Sequence, residues 1–264
     1  MPSFPTPEPI AVTVSLIAAD VRITASQSAD TTVEVRPADP ADAADVAAAE
    51  RVKIRPTDGR LTVKDGSRLR HQRGRVEVSL DLPTGSALTA TLHQGRLSGR
   101  GRLGEVRATV SRGGIELDHT GQAHLSADQG DITVARCGGP ADISTGRGQI
   151  RIAETIDAAR VGNGAGDVTV ERAAGGLRVT AERGAVIVGE ITHGLTELVV
   201  GTGTIEVGIP DGTAVVLDAK AAIGRVRDDL GEEPEPSGGA TVELRAHASH
   251  GDIHLHRTTS GETA

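Results

Sequence analysis

Three histidines near the end of the sequence have a spacing that could hold a metal ion. His250, His254 and His256 are separated by even numbers of residues, and residues with that spacing share one face of an extended strand. Imidazole nitrogens on one face can bind Zn²⁺ or Ni²⁺. Strand histidines without a further ligand are more often exposed and unliganded, so we assign no metal ligand and no cofactor. A metal site at these three residues is the alternative.

Aspartates follow the glycine of a recurring short phrase, where they could bind calcium. They are Asp131, Asp167 and Asp252. Calcium-binding β-rolls place a carboxylate in successive turns of a repeat of about nine residues. In this sequence the phrase returns at a much longer interval, and most of its copies lack the aspartate. We therefore expect these carboxylates to cap turns.

Side chains suited to nucleophilic catalysis are present but form no recognisable motif. Serine, histidine and aspartate recur at Asp118-His119 and over residues 124–128, yet no nucleophile elbow or ordered triad surrounds them. Cys137 is the single cysteine and follows Arg136, whose charge could activate the thiol. The Gly-Gly-Pro that follows predicts a turn, with no histidine or second cysteine beside it. We predict no catalytic residue and a protein that is not an enzyme.

Two charged segments of opposite sign interrupt the apolar patterning. The basic segment contains Arg68, Arg70, His71, Arg73 and Arg75, and the acidic segment contains Asp228, Asp229, Glu232, Glu233 and Glu235. Glycines in the first segment and prolines in the second predict exposed loops. We expect both loops to be solvated. The alternative is a salt-sensitive contact between the 68–75 loop of one molecule and the 228–235 loop of another.

The composition argues against several classes of partner. The formal net charge is −8, the pI is near 5.6, and the sequence has no Trp or Tyr. Nucleic-acid-binding surfaces are basic, and platforms for single strands need aromatic rings. No segment is apolar enough to span a membrane, and residues 1–10 lack the basic and apolar regions of an export signal. We expect no nucleic-acid or membrane partner and a cytoplasmic location.

The elements that must position these side chains are specified by a repeated phrase, a glycine followed by aliphatic residues at alternate positions. It reads Gly-Asp-Ile-Thr-Val at 130–134 and Gly-Asp-Val-Thr-Val at 166–170. The leading glycines are Gly95, Gly113, Gly130, Gly148, Gly166, Gly184, Gly203, Gly224 and Gly251. A long, nearly constant interval is typical of a repeat protein. Since a second alternating pattern follows in each copy, we predict an all-β fold: a β-solenoid with roughly 18-residue coils of two short strands each.

The remaining segments predict the ends of this solenoid. The predicted parts are residues 1–75 as an N-terminal cap continuous with the solenoid, residues 76–257 as the repeat array, and residues 258–264 as a disordered tail. Within the cap, short strands at 12–16 and 21–23 are separated by a polar turn, and an alanine-rich run predicts one short helix at 41–50. Residues 241–257 are predicted to close the array as a hairpin.

Several motifs along nearly the whole chain carry a resemblance to a known family. Beside the glycine-led phrases, they are the opening Pro7–Val12 with Asp20–Ile23, the stretch Val33–Pro37, Gly224–Leu230 and the closing Gly251–Leu255. In these features the sequence resembles the putative-adhesin β-strand-repeat family of bacteria, whose function is unknown. The resemblance implies a β-solenoid without established catalytic residues.

The sequence as a whole predicts a non-enzymatic β-solenoid scaffold or protein-interaction module. Stacked coils present extended faces to a protein partner of unknown identity, and unpaired strands at the solenoid ends or edges would permit a homo-oligomer. The alternative is a ligand- or glycan-binding protein, which could be an enzyme, that uses one face of the solenoid. Convergent polar groups in a cleft would favour the alternative.

Overall fold

The computed structural model describes residues 3–66, 74–231 and 241–258, most of which lie in β-strands. The chain divides into two compact units, Met1–Ile132 and Thr133–Ala264. Strands in both units follow the predicted alternation of buried and exposed side chains. The all-β fold class and the β-solenoid architecture are confirmed.

Along the chain of the first unit, strands precede and follow one short helix. Its elements are β1 (Ser3–Pro5), β2 (Ala11–Ser26), β3 (Asp30–Pro37), α1 (Ala43–Arg51), β4 (Val52–Thr57), β5 (Arg60–Asp65), β6 (Val76–Pro83), β7 (Ala87–Gln94), β8 (Leu97–Arg102), β9 (Val106–Arg112), β10 (Ile115–Thr120) and β11 (Ala123–Gln129). The helix lies where the alanine-rich run predicts it. Asp42 caps its N-terminus, because the Asp42 carboxylate accepts a hydrogen bond from the Ala44 amide at 2.8 Å.

Two parallel sheets make up most of the first unit. Strands that begin two residues after a leading glycine form one of them, here called the glycine-led sheet: β8 and β10, together with β6 and the second half of β2. The opposite sheet holds β5, the first half of β2, β7, β9 and β11. Antiparallel β3 extends the first sheet beyond β6, and antiparallel β4 extends the second beyond β5.

The strand β2 differs from its prediction. It is continuous over sixteen residues, and no turn interrupts it between Leu16 and Val21, because the chain passes directly from the opposite sheet into the glycine-led sheet. Val21 is in register with Leu97 of β8, so this segment is the first, degenerate copy of the repeat. In space β2 lies between β5 and β7 and between β6 and β8.

The second unit repeats the two-strand coil. Its strands are β12 (Ile132–Cys137), β13 (Ala141–Arg147), β14 (Ile150–Thr155), β15 (Ala159–Ala165), β16 (Val168–Ala173), β17 (Leu177–Arg183), β18 (Val186–Ile191), β19 (Gly194–Thr202), β20 (Ile205–Pro210), β21 (Ala214–Ile223), β22 (Val226–Asp229), β23 (Thr241–His250) and β24 (Ile253–Thr258). All pairings with a defined register are parallel. Even-numbered strands form the glycine-led sheet and odd-numbered strands the opposite sheet.

The last two coils do not follow chain order. β23 pairs in parallel with both β19 and β21, and β24 pairs in parallel with both β20 and β22. The prediction of a closing hairpin at 241–257 is therefore wrong. This segment forms the penultimate coil, and β21 with β22 forms the last one, because the chain skips one coil position and then returns to fill it.

Aliphatic ladders form the core, as the repeated phrase predicts. In the second unit Ile150, Val168, Val186 and Ile205 are in register on adjacent strands, and each is 0% exposed. In the first unit Gly99 interrupts the ladder. A Cβ there would lie 2.7 Å from Cδ2 of Leu117 and 3.2 Å from Cδ1 of Leu103, so these two leucines fill the space that an aliphatic side chain would take.

Candidate functional site

The outer face of the glycine-led sheet in the first unit carries a groove of about 700 Å³. Small residues leave this space open: Ser98 and Gly114 face it and reach little above the backbone. Long charged side chains surround it, namely Arg22, Arg75, Arg96, Arg100 and Arg112 with Asp20, Glu116 and Asp118. Parallel register positions them, since Ser98 pairs with Arg22 on one side and Glu116 on the other. We call this surface the arginine groove.

Two of the five arginines in the arginine groove are neutralised by carboxylates. Both oxygens of Asp20 accept hydrogen bonds from Arg75 Nη2, at 2.8 and 2.7 Å. Arg22 pairs with Glu77 at 3.2 Å. The Asp118 carboxylate accepts a hydrogen bond from the backbone amide of Gly101 at 3.0 Å, which leaves it less able to neutralise a guanidinium.

The other three arginines, Arg96, Arg100 and Arg112, are exposed. Within the residues that the structure describes, none of their guanidinium groups forms an ion pair. The groove therefore presents to solvent three guanidinium groups that form no ion pair with a described residue. Sequence reasoning missed this set, because Arg112 joins Arg96 and Arg100 only when neighbouring coils stack in register. Aligning the outward positions of the coils led by Gly95 and Gly113 would have brought them together.

A second polar cluster lies on the outer face of the glycine-led sheet in the second unit. One ligand atom from each of Glu206, His254 and His256 lies within 4.8 Å of the other two. The imidazole centroids are 5.3 Å apart, and His254 Nε2 lies 3.0 Å from Asp229 Oδ2. The prediction that His250, His254 and His256 share one strand face is wrong for His250. Gly251 turns the chain between the sheets, so His250 ends β23 in the opposite sheet, and Glu206 of β20 takes its place.

The comparison with protein families covers nearly the whole chain. The family model described as Toastrack DUF4097 matches residues 8–256. The chain belongs to the Toastrack family. This confirms the resemblance to the bacterial family of β-strand repeats and unknown function. Comparison with curated proteins gives no match.

Solved structures that are similar to this chain share little sequence with it. A putative adhesin from Bacteroides fragilis is 8% identical, with a TM-score of 0.41, 97% of this chain covered and 95% of that chain. A putative adhesin from Parabacteroides merdae is 12% identical, with a TM-score of 0.45 and coverages of 96% and 94%. A putative lipid binding protein from Parabacteroides distasonis is 10% identical, with a TM-score of 0.45 and coverages of 96% and 95%.

Two of the three aspartates that follow leading glycines cap turns in this Toastrack protein. Asp167 Oδ1 accepts a hydrogen bond from the amide of Ala185 at 2.9 Å, and Asp252 Oδ1 accepts one from the amide of Arg225 at 2.9 Å. In each case the donor holds the equivalent position in the neighbouring coil. Asp131 holds this position in the first unit. The Asp167 and Asp252 carboxylates thus join turns of neighbouring coils, in agreement with the prediction that they cap turns.

The prediction that Cys137 lies in a turn is wrong. This residue ends β12 instead of lying in a turn, and it is 0% exposed. Its neighbour Arg136 points outward and pairs with Glu154 at 3.2 Å. Cys137 faces the core whereas Arg136 faces solvent, so the two side chains lie on opposite faces of the sheet.

Other predicted residues are spread over different elements. Asp118 and His119 lie on β10, whereas His124 lies on β11 of the opposite sheet and contacts Gln122 at 2.9 Å. Of the basic segment, Arg75 is described, and Arg68, Arg70, His71 and Arg73 lie outside the described residues. Of the acidic segment, Asp228 and Asp229 lie on β22, and Glu232, Glu233 and Glu235 lie outside the described residues. A contact between the two loops stays a prediction.

The helix α1 has nine residues. Within residues 3–66, 74–231 and 241–258, no helix reaches the length and hydropathy that crossing a bilayer needs.

Proposed function

We propose that this Toastrack protein is a non-enzymatic binding scaffold whose arginine groove holds an acidic segment of a protein partner. The observation that carries the proposal is the set of three exposed guanidinium groups, Arg96, Arg100 and Arg112, around a groove of about 700 Å³. None of them pairs with a carboxylate among the described residues. Carboxylates of a partner would pair with these three guanidinium groups and neutralise their charge.

The chemistry of guanidinium fits this ligand class. Its planar fork of donors binds a carboxylate through two parallel hydrogen bonds. One exposed pair contributes up to about 1 kcal/mol, so useful affinity needs several pairs at once. The arginine groove places three within one concave surface, which also strengthens the local positive potential.

The backbone of the groove favours binding without rearrangement. Its lining residues stand on parallel strands whose register is fixed by Val21, Leu97 and Ile115, all of which are at most 1% exposed. A preorganised site loses less conformational entropy on binding. Sugar rings and nucleobases usually need aromatic platforms, and the chain has no Trp or Tyr. An acidic peptide needs only the guanidinium groups.

Fluorescence anisotropy with three labelled probes tests the proposal. The probes are deca-glutamate, an uncharged Gly-Ser peptide of equal length and a sulfated dextran oligosaccharide. We expect deca-glutamate to bind the wild type, to bind about tenfold more weakly to the Arg96→Gln/Arg100→Gln/Arg112→Gln variant, and to weaken with added salt. Binding of the sulfated sugar alone would support the glycan-binding alternative, and equal binding to both proteins would contradict the proposal.

Self-association is a second function that a separate observation favours. The terminal coil of the second unit exposes Val216 by 61%, Ile223 by 63% and Val226 by 42%. Within the described ranges, β21 pairs only with β23, and β22 only with β24. Such an open edge can pair with the same edge of a second copy about a twofold axis, which needs no other component.

Sedimentation velocity distinguishes this self-association from a monomer. We expect the wild type to form dimers and a Val226→Lys variant to be monomeric, since a lysine at the edge opposes pairing. Ile187→Lys is the matched control, because Ile187 is 36% exposed in the middle of the sheet on β18. A monomeric wild type, or equal dimerisation of all three proteins, would contradict edge pairing.

A further inference from the structure

We propose that Glu206, His254 and His256 bind a divalent transition-metal ion, and that Zn²⁺ is the ion that fits best. The site lies within the second unit and does not depend on the arginine groove. Its ligands are two imidazoles and one carboxylate, on the adjacent parallel strands β20 and β24.

Backbone register brings the three ligands together. Glu206 is directly opposite His254, and Gly208 is directly opposite His256. Because residues two apart share a strand face, both imidazoles rise on the side that carries Glu206. Gly208 has no side chain that could separate His256 from Glu206, and a Cβ there would lie 2.0 Å from the carbonyl oxygen of Gly189. The His256 ring can therefore lean toward Glu206.

The distances are close to those of a coordinated ion. Ligands about 2.1 Å from a tetrahedral Zn²⁺ lie roughly 3.4 Å from one another. The three ligand atoms are already within 4.8 Å of each other. Glu206 is exposed, so rotation about its side-chain bonds can close the difference without moving the strands.

The polar environment of His256 is incomplete without a ligand. Its Nδ1 atom is buried and has no hydrogen-bond partner among the described residues. A buried polar atom left without a partner costs free energy. A metal ion bound by this cluster would place a positive charge beside the His256 ring, whose hydrogen bonding is incomplete.

Asp229 completes the arrangement from outside the ligand set. Its Oδ2 atom lies 3.0 Å from His254 Nε2. When the Nε2 proton is donated to this carboxylate, the lone pair of His254 is on Nδ1. A carboxylate that orients a metal-binding histidine in this way is a common feature of zinc sites.

The ligand types determine which ions the site selects. Two imidazole nitrogens and one carboxylate oxygen suit Zn²⁺ and other late first-row ions, whereas Ca²⁺ and Mg²⁺ prefer oxygen ligands alone. Three protein ligands leave a fourth position of the tetrahedron for water or for a group of a bound molecule. The site is thus built for Zn²⁺ with an open position.

Calorimetric titration of the metal-stripped, untagged full chain with ZnCl₂ tests the proposal. We expect one Zn²⁺ per chain in the wild type and at least about a tenfold loss of affinity in Glu206→Gln and His256→Ala, with a smaller loss in Asp229→Asn. His250→Ala is the matched control and should bind as the wild type does, because His250 is exposed and lies outside the cluster.

Two further measurements keep folding and binding apart. Thermal melting without metal checks that each variant folds, and Glu206→Gln alters only an exposed outer-face residue. Adding Zn²⁺ should raise the melting temperature of the wild type but not that of His256→Ala. Absence of stoichiometric Zn²⁺ binding in the wild type, equal binding by folded His256→Ala and Glu206→Gln, or equal affinity for Ca²⁺ would overturn the proposal.

Discussion

Gly251 lies directly against Gly203, although Gly224 stands between them in the sequence. A Cβ atom on Gly251 would lie 1.8 Å from the carbonyl oxygen of Gly203, and one on Gly224 would lie 2.1 Å from the carbonyl oxygen of Gly251. The order in space is therefore Gly203, Gly251, Gly224. The chain first builds the terminal coil and then inserts β23 and β24 inside it.

Engineered disulfides test this order. Glu243 is in register with Leu195 on one side and Val216 on the other. Adjacent strands are about 4.8 Å apart, within reach of a disulfide, whereas Leu195 and Val216 are two strands apart. We expect Leu195→Cys/Glu243→Cys to form a disulfide on oxidation and Leu195→Cys/Val216→Cys to keep free thiols, as measured by thiol titration. Coils stacked in chain order would give the reverse.

Stacked glycines explain why the leading position tolerates no side chain. Gly251 has φ +139°, and any Cβ there meets the Gly203 carbonyl. Gly212 has φ +79° but no atom within 4 Å of an added Cβ. We expect Gly251→Ala to lower the free energy of unfolding by more than about 3 kcal/mol, and Gly212→Ala to lower it by about 1 kcal/mol. Equal losses in urea denaturation would show that backbone strain alone sets the requirement.

The inward ladder should be far more sensitive to charge than the outer face. Val168 is 0% exposed between Ile150 and Val186, whereas its neighbour Thr169 points to the other face and is partly exposed. A buried, unpaired carboxylate costs about 3–5 kcal/mol, so we expect Val168→Asp to destabilise by that amount and Thr169→Asp to cost less than about 1 kcal/mol. Similar melting temperatures of the two variants would contradict the ladder.

The terminal coil contains a carboxylate with a perturbed titration. The pKa of Asp218 lies below its ordinary value of 3.8, chiefly because Lys220 donates a hydrogen bond to it, at 2.8 Å, with a smaller contribution from His247. Stability from this pair is present above the ordinary pKa and is lost as the pH falls through the lowered pKa. We expect Lys220→Met to raise the pKa of Asp218, as followed by carboxyl NMR, and an unchanged pKa would refute the pairing.

Much of the fold could be predicted because the repeat encodes it locally. The aliphatic pair after each leading glycine specifies strand, face and ladder at once, and the structure places Ile150 and Val168 accordingly. The order of the end coils is not encoded in this way, because every copy presents the same ladder. One signal pointed to it: Asp228 takes an aliphatic position opposite Leu255, which only a terminal coil with an open side can tolerate.

The candidate sites were harder to predict, because they depend on residues from different copies of the repeat. His254 and His256 share a face through parity alone, but their third partner Glu206 comes from a coil that only the spatial order places beside them. Arg96 and Arg112 likewise line the arginine groove from neighbouring coils. The cytoplasmic location and the lack of nucleic-acid and membrane partners stay predictions, since strand geometry does not bear on them.

Two charge-reversal variants of equal net charge test the arginine groove most directly. One is Arg96→Glu/Arg112→Glu. The other is Arg147→Glu/Arg183→Glu, in the second unit, where both arginines are exposed and precede a leading glycine just as Arg112 does. The measurement is the Kd of labelled deca-glutamate at low salt. We predict at least about a tenfold weaker Kd, or 1.4 kcal/mol, for the groove variant than for the control variant. Equal affinities of the two variants would contradict binding at the groove.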